Sequence, residues 1–338
     1  MKRCTQYAIS PSPLPDDRAS VPSRDRKGAV LANRHGYFLT DGKSGKRRPV
    51  VIRVPASIAN LGPGLDALAL AVSLYLKVRV HRAEGVNRLQ FRFLNLELRG
   101  ENLIERGFLR LAGEREFPAL DIDVESDIPL RSGLGSSAAA MVAGFRIFET
   151  VFGRQPVENL LAAGCELEGH PENVAAALLG GLVACCQRAD GSVIALPAAW
   201  PRALRIVVAT PEVQLETRRS RQVLPASVPL ASAVGNVQRV AVLLEALRAR
   251  NYAVLAEAFR DCLHQPSRCA IVPGLDRLLA LRHRDVLGVF LSGSGPSLAA
   301  VATRHLPAGA ALLAGTFRDA GVECQTRIVR VHPAGGEA

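Results

Sequence analysis

The run Pro129, Leu130, Arg131, Ser132, Gly133, Leu134, Gly135, Ser136, Ser137, Ala138, Ala139 carries the strongest chemical signal in the chain. Its two glycines let the backbone approach a ligand closely, and the small helix formers after Gly135 put a helix N-terminus at the end of the loop. Unpaired N–H groups and the positive end of the helix dipole then favour a phosphate. No Gly-Lys-Ser/Thr follows, so this is not a Walker A loop. The spacing and downstream acidic residue of the dinucleotide fingerprint are also missing. Taken alone, the loop can also be read as a tight turn with Ser136 capping a helix.

Three more clusters gather polar side chains at turns. Pro55-Ala-Ser-Ile-Ala-Asn60-Leu-Gly-Pro-Gly-Leu-Asp66 sets an amide and a carboxylate around a Pro/Gly turn. Such a pair suits the amine and hydroxyl of a small polar substrate, or an Asx-type turn. Glu166-Leu-Glu168-Gly-His170-Pro-Glu172-Asn173 concentrates ionisable groups between two apolar helices, as a surface loop also would. Leu291-Ser-Gly293-Ser294-Gly295-Pro-Ser297 joins two apolar runs and reads most simply as a tight hairpin.

The elements that must position these clusters begin at Pro49, where GKSGKRR gives way to the β-branched VVIRV. Strands are expected over 74–81, 89–94 and 122–125, with a helix over 102–112 between the last two. The residues from Ser136 form a buried helix, 157–168 a second helix, and GGLVACC a buried strand. A Pro- and Trp-containing break at 197–201 precedes a strand over 204–211 and marks a domain boundary near residue 200. Beyond it, helices are expected near 236–250, 253–263, 274–284 and 308–320, with strands at VLGVFLSG, SLAAVA and ECQTRIVRV. Helices covering one face of a small sheet suit this half. The expected division is an extension over 1–48, domains over 49–200 and 201–331, and a tail over 332–338.

With 48% hydrophobic and 22% charged residues, the chain has the balance of a folded protein with a filled core, which admits an enzyme. Eleven Lys or Arg against four Asp make residues 1–48 strongly basic, and the rest of the chain only mildly so. With no aromatic platform or helix-turn-helix beside it, that arm reads as a disordered extension rather than a nucleic-acid site. No uninterrupted apolar run approaches the roughly 18 residues of a membrane span, and the N-terminus lacks a signal-like apolar stretch, so a cytoplasmic location is expected. The seven cysteines show no CxxC spacing, which argues against a zinc site or a disulfide framework.

In order and spacing, ANLGPGLD, PLRSGLGSSAA, GHPENVAAALLGG and SGSGPS resemble the homoserine kinases, a branch of the GHMP superfamily, over about residues 50–331. The resemblance implies an α+β, two-domain fold: a ribosomal-S5-like N-terminal domain, a ferredoxin-like C-terminal domain, and the site between them. It implies phosphoryl transfer from ATP to the side-chain hydroxyl of L-homoserine, giving O-phospho-L-homoserine for threonine synthesis. Carried over residue by residue, it lays the triphosphate along Pro129 to Ala139 and Mg²⁺ on Ser136 and Glu166. It surrounds homoserine with Asn60, Asp66, His170 and Asn173, and turns Thr217, Arg221 and Arg268 toward its carboxylate. Gly293, Ser294 and Gly295 form a supporting loop. No base is assigned, Glu172 being the one candidate. Two residues depart from the family pattern: Glu172, where Asp is more usual, and Leu65, where Phe is. The small substrate is the expected partner; a membrane or nucleic-acid partner is not expected, and a homodimer stays open. The alternatives are a GHMP kinase for another small alcohol and a non-catalytic ATP-binding relative.

Overall fold

The computed structural model describes residues 49–335 apart from 99, 214 and 216, so the expected extension over 1–48 and the last three residues of the tail lie outside the described residues. The first half is built on a six-stranded sheet: β1 (Val50–Ala59), β2 (Leu68–Val86), β3 (Leu89–Phe93), β4 (Pro118–Ser126), β5 (Leu182–Gln187) and β6 (Val193–Ala198). The order is β3-β4-β2-β5-β6, with β1 also paired to β2. The alternation in LYLKVRVH becomes a strand buried on one face and half-exposed on the other, the pattern of a sheet covered on one side. The helices of this half are α1 (Leu103–Ala112), α2 (Ser136–Phe152), α3 (Val157–Glu168) and α4 (Glu172–Leu179). Phe108, Phe145 and Phe148 of α1 and α2 are fully buried there. Each contributes about 1.5–3 kcal/mol by leaving water, which locks α2, and the loop before it, to the sheet.

The chain enters a second, antiparallel sheet with β7 (Arg205–Pro211), β8 (Gly288–Leu291), β9 (Leu298–Ala302) and β10 (Cys324–Val329), in the order β10-β7-β9-β8. The helices that accompany it are α5 (Thr217–Gln222), α6 (Leu230–Ala249), α7 (Leu255–Ala258), α8 (Gln265–Arg268), α9 (Leu275–Ala280) and α10 (Leu306–Asp319).

Three local differences from the expected elements have simple causes. β6 runs through Pro197, because it is an edge strand and an edge tolerates the missing N–H. The helix expected over 253–263 shrinks to α7, because Asp261 takes the N–H groups of Leu263, His264 and Gln265 and starts a new turn. Among the described residues, α6 is the one helix long and apolar enough to cross a membrane; Asn236, Gln238, Arg239 and Glu245 interrupt its apolar run, so no unbroken stretch marks it in the sequence. Its Asn236 is buried and tied to Pro63 O and Asp261, and Leu243, Ala246 and Leu247 are buried as well.

Candidate active site

The loop before α2 is gripped from two sides. Ser57 N donates to Leu134 O at 3.1 Å, while Ser297 N donates to Ser132 O at 3.0 Å and Ser292 Oγ to Gly133 O at 2.7 Å. The turn between β8 and β9, with Gly293, Ser294 and Gly295, therefore props the loop, as well as closing a hairpin. Gly133 and Gly135 have φ of 79° and 69°, and added Cβ atoms would stand 2.4 Å from Ser292 O and 2.0 Å from Ser57 Oγ. Neither position admits a side chain. No side chain caps α2, whose first N–H groups stand beside a cavity. Gly135→Ala is accordingly expected to cost about 1–3 kcal/mol of stability and to raise the Michaelis constant for the phosphate donor; thermal unfolding and steady-state kinetics check both.

That cavity is small and polar, about 70 Å³. On one wall, Asn60, in the left-handed region at φ 71°, accepts from Asp66 N at 3.1 Å and donates to Gly293 O at 3.0 Å. Arg221 of α5 clasps Asp66 through both terminal nitrogens, at 2.8 and 3.2 Å. On the opposite wall, Ser57 Oγ donates to Asn173 Oδ1 at 2.6 Å and Asn173 Nδ2 donates to Glu172 Oε1 at 2.8 Å. His170 Nδ1 lies 2.9 Å from that same oxygen, and Glu172 Oε2 is buried with no partner. Burial opposes a charge on His170, yet Glu172 and then Glu168 outweigh it and raise its pKa. Asp66, His170 and Glu172 bring donor atoms within 4.8 Å of one another, a group that could also take a cation, although Arg221 already occupies Asp66.

Arg268 of α8 closes the cavity from beneath. Only 2% exposed, it donates to Gly293 O at 3.0 Å, Ser220 O at 3.3 Å and His264 Nδ1 at 2.7 Å. Burial, then the neighbouring Arg221, lower its pKa to about 10, so it stays a cation at neutral pH. A second cavity, of about 430 Å³, shares Arg131, Ser136, Ser137 and Leu215 with the first. Leu76, Phe93, Leu96, Leu103, Ile104 and Val124 make its wall largely apolar, and Leu130 stands at its edge. Sequence reasoning misses this second cavity: its apolar lining is gathered from β2, β3, β4, α1 and the segment before it, and Leu215, and none of these carries a chemical motif.

Residues 102–181 match the family GHMP kinases N terminal domain, and residues 243–316 match GHMP kinases C terminal. The chain is 36% identical to a homoserine kinase of Solibacter usitatus, over 81% of this chain and 92% of that protein. It is 37% identical to one of Moorella thermoacetica, over 82% and 95%. A crystal structure of homoserine kinase from Cytophaga hutchinsonii superposes with a TM-score of 0.76 at 25% identity, covering 88% of this chain and 98% of that one. The chain belongs to the homoserine kinases, within the GHMP kinases.

In this homoserine kinase family member, the structure brings Asn60, Asp66, Ser136, His170, Glu172, Asn173, Arg221 and Arg268 to one cavity, together with Gly293 and Ser294. Thr217 opens α5, but its side chain lies outside the described residues. Glu166, by contrast, stands outside this cavity. Its side chain is 61% exposed and pairs with Arg110, which holds its pKa below the usual carboxylate range. Glu168, two residues and about 200° further round the helix, lines the cavity beside Ser136 and accepts from Ser137 Oγ at 2.8 Å. The sequence does hold the signal: Leu161, Cys165 and Glu168 fall on one face of α3, whereas Glu166 falls between exposed positions.

The surroundings of Glu168 disfavour its charge. Burial raises its pKa, with His170 and Ser137 opposing and Glu172 adding to the rise. An oxygen donor set of one carboxylate and one serine, beside an uncapped helix N-terminus, fits Mg²⁺ held jointly with phosphate oxygens.

Proposed function

We propose that this chain transfers the γ-phosphoryl group of ATP to the side-chain hydroxyl of L-homoserine, with Mg²⁺ held by Ser136 and Glu168 in place of Glu166. The observation that carries the reading is the meeting of two unlike cavities at the uncapped N-terminus of α2, one large and apolar, the other small and lined by carboxylates and arginines. A nucleoside suits the first, an amino acid the second, and a triphosphate the helix end between them.

Each group then has a task. The loop from Pro129 to Ala139 follows the triphosphate, its N–H groups facing the phosphate oxygens. Asn60 and Asp66 take the substrate amine, and the remaining N–H donors of Arg221 and Arg268 take its carboxylate, a planar anion matched to a guanidinium. His170 and Asn173 hold the hydroxyl end. Glu172, with Oε2 unpartnered, accepts the hydroxyl hydrogen as the oxygen closes on the γ-phosphorus and the bond to the β-phosphate oxygen breaks. Mg²⁺, when bound, supplies charge neutralisation to the phosphate oxygens. The chain's own contribution is mainly to hold the hydroxyl and the γ-phosphoryl in line.

Release of ADP, measured with L-homoserine, mevalonate, galactose and shikimate as acceptors, tests the reading. The highest kcat/KM is expected with L-homoserine. A preference for galactose would leave Arg221 and Arg268 without a carboxylate partner and would overturn the acceptor assignment.

A further inference from the structure

We propose that His264 is a positioning residue for amino-acid binding: a neutral imidazole that joins the buried Arg268 guanidinium to the turn carrying Asn60 and Asp66. The inference rests on the reading of Arg268 as a substrate-carboxylate ligand. His264 itself is fully buried, beneath the cavity wall.

The bonding partners determine its protonation state. Nδ1 stands 2.7 Å from Arg268 Nη1, and Nε2 stands 2.8 Å from Gly62 O. A guanidinium has only donors and a carbonyl only acceptors, so Nδ1 must be the bare nitrogen and Nε2 must carry the hydrogen. An imidazolium would set an N–H against the guanidinium and forfeit that bond. Burial, the largest influence on this ring, also disfavours the charge.

Both ends of the bridge lead into the substrate cavity. Gly62 lies between Asn60 and Asp66, with its backbone so close to α7 and its C-terminal flank that an added Cβ would stand 2.0 Å from Phe259 O. The next residue, Pro63, is held through its carbonyl by Asn236 Nδ2 at 3.0 Å. The other end of the bridge is anchored by Asp261, which accepts from Asn236 Nδ2 at 2.7 Å and from the backbone N–H groups of His264 and Gln265 at 2.9 and 2.7 Å. The ring therefore cannot move without moving either the substrate turn or α8. Arg268 has many possible rotamers, and an acceptor fixed at Nδ1 selects the one that also reaches Gly293 O. Removing that acceptor lets the fork swing, and the amino-acid carboxylate loses its aligned partner.

Two substitutions separate positioning from mere support. Asparagine carries an amide oxygen near the place of Nδ1, and glutamine carries its amide near the place of Nε2. Each keeps one polar contact and loses the other. His264→Asn, which keeps the acceptor for Arg268 and gives up Gly62 O, is expected to raise the Michaelis constant for homoserine only about threefold. His264→Gln should raise it about tenfold or more, the loss of a charge-assisted bond, with the constant for ATP unchanged in both. Equal effects of the two variants on homoserine, or a rise for ATP in step with it, would overturn the proposal. Arg268→Lys run beside them isolates the underlying reading: if that change spares the homoserine constant, the role of Arg268 is wrong, whereas a penalty there with none in His264→Gln removes only His264. Nitrogen-15 NMR of histidine-labelled, unmutated protein at pH 7 covers the case in which neither variant folds. A neutral ring protonated at Nε2 is expected, and an imidazolium at position 264 would refute the bridge.

Discussion

Glu168→Gln is expected to lower turnover by about a hundredfold, roughly 2.7 kcal/mol of transition-state stabilisation, while Glu166→Gln stays within about threefold of the parent. The two carboxylates differ in surroundings rather than in chemistry. Glu166 lies on the outer face of α3 against Arg110, an exposed pair of the kind that contributes little. Glu168 faces the cavity with a single hydroxyl donor, Ser137 Oγ. Because burial raises its pKa, the folded chain holds a proton there more readily than the unfolded chain does. Above the ordinary carboxylate range, keeping that charge therefore costs stability. A neutral amide of the same shape removes the cost, so the Tm of the ligand-free variant should equal or exceed that of the parent. The rise in Tm produced by ATP with Mg²⁺ should shrink, since ligand stabilisation scales with affinity. Kinetics and thermal unfolding of both variants check this. A crippled Glu166→Gln with an unharmed Glu168→Gln would return the metal to the outer face of α3.

Arg268→Lys should raise the Michaelis constant for homoserine about ten- to a hundredfold and leave that for ATP nearly unchanged, the equivalent of about 1.5–3 kcal/mol for a lost charge-assisted bond. Lysine keeps the charge but has one nitrogen where arginine has three. That nitrogen cannot reach Gly293 O, Ser220 O and His264 Nδ1 and still offer a parallel pair to a carboxylate. The phosphate-facing groups stand on α2 and its loop, which is why ATP should be spared. Steady-state kinetics with each substrate varied in turn decides it. Equal losses in both constants would mean that Arg268 only holds the cavity floor together.

Much of the site is legible in the amino-acid sequence because its parts are local. A glycine loop running into a helix, an Asn/Asp turn and a Ser/Gly hairpin each require particular backbone angles. Only a few residue types supply those angles, so Gly133, Gly135, Asn60 and Asp66 declare themselves. The long apolar periodicities of α2 and α3 and the alternation in β2 are legible for the same reason.

Local pattern therefore shows which kinds of group are present: a glycine loop running into a helix, an Asn/Asp turn, and a cluster of Glu, His and Asn, while Arg221 and Arg268 stand out only through the family resemblance. Which of them face one another is a matter of how the elements pack. The rotation of α3 is half legible, since Leu161 and Cys165 mark the face that Glu168 shares, but only the seating of that face beside α2 puts Glu168 in the cavity. The apolar cavity beside α2 exists only where β2, β3, β4, α1 and the segment 96–102 converge, all contributing ordinary side chains. Arg268 falls in sequence between two expected helices and is singled out only by the family resemblance. Its burial, its bond to His264 and the fixed tautomer of that ring arise because α8 is pressed against a turn some 200 residues earlier in the chain. Contacts of that range depend on the docking of whole elements, and no pattern within a window of neighbouring residues encodes them.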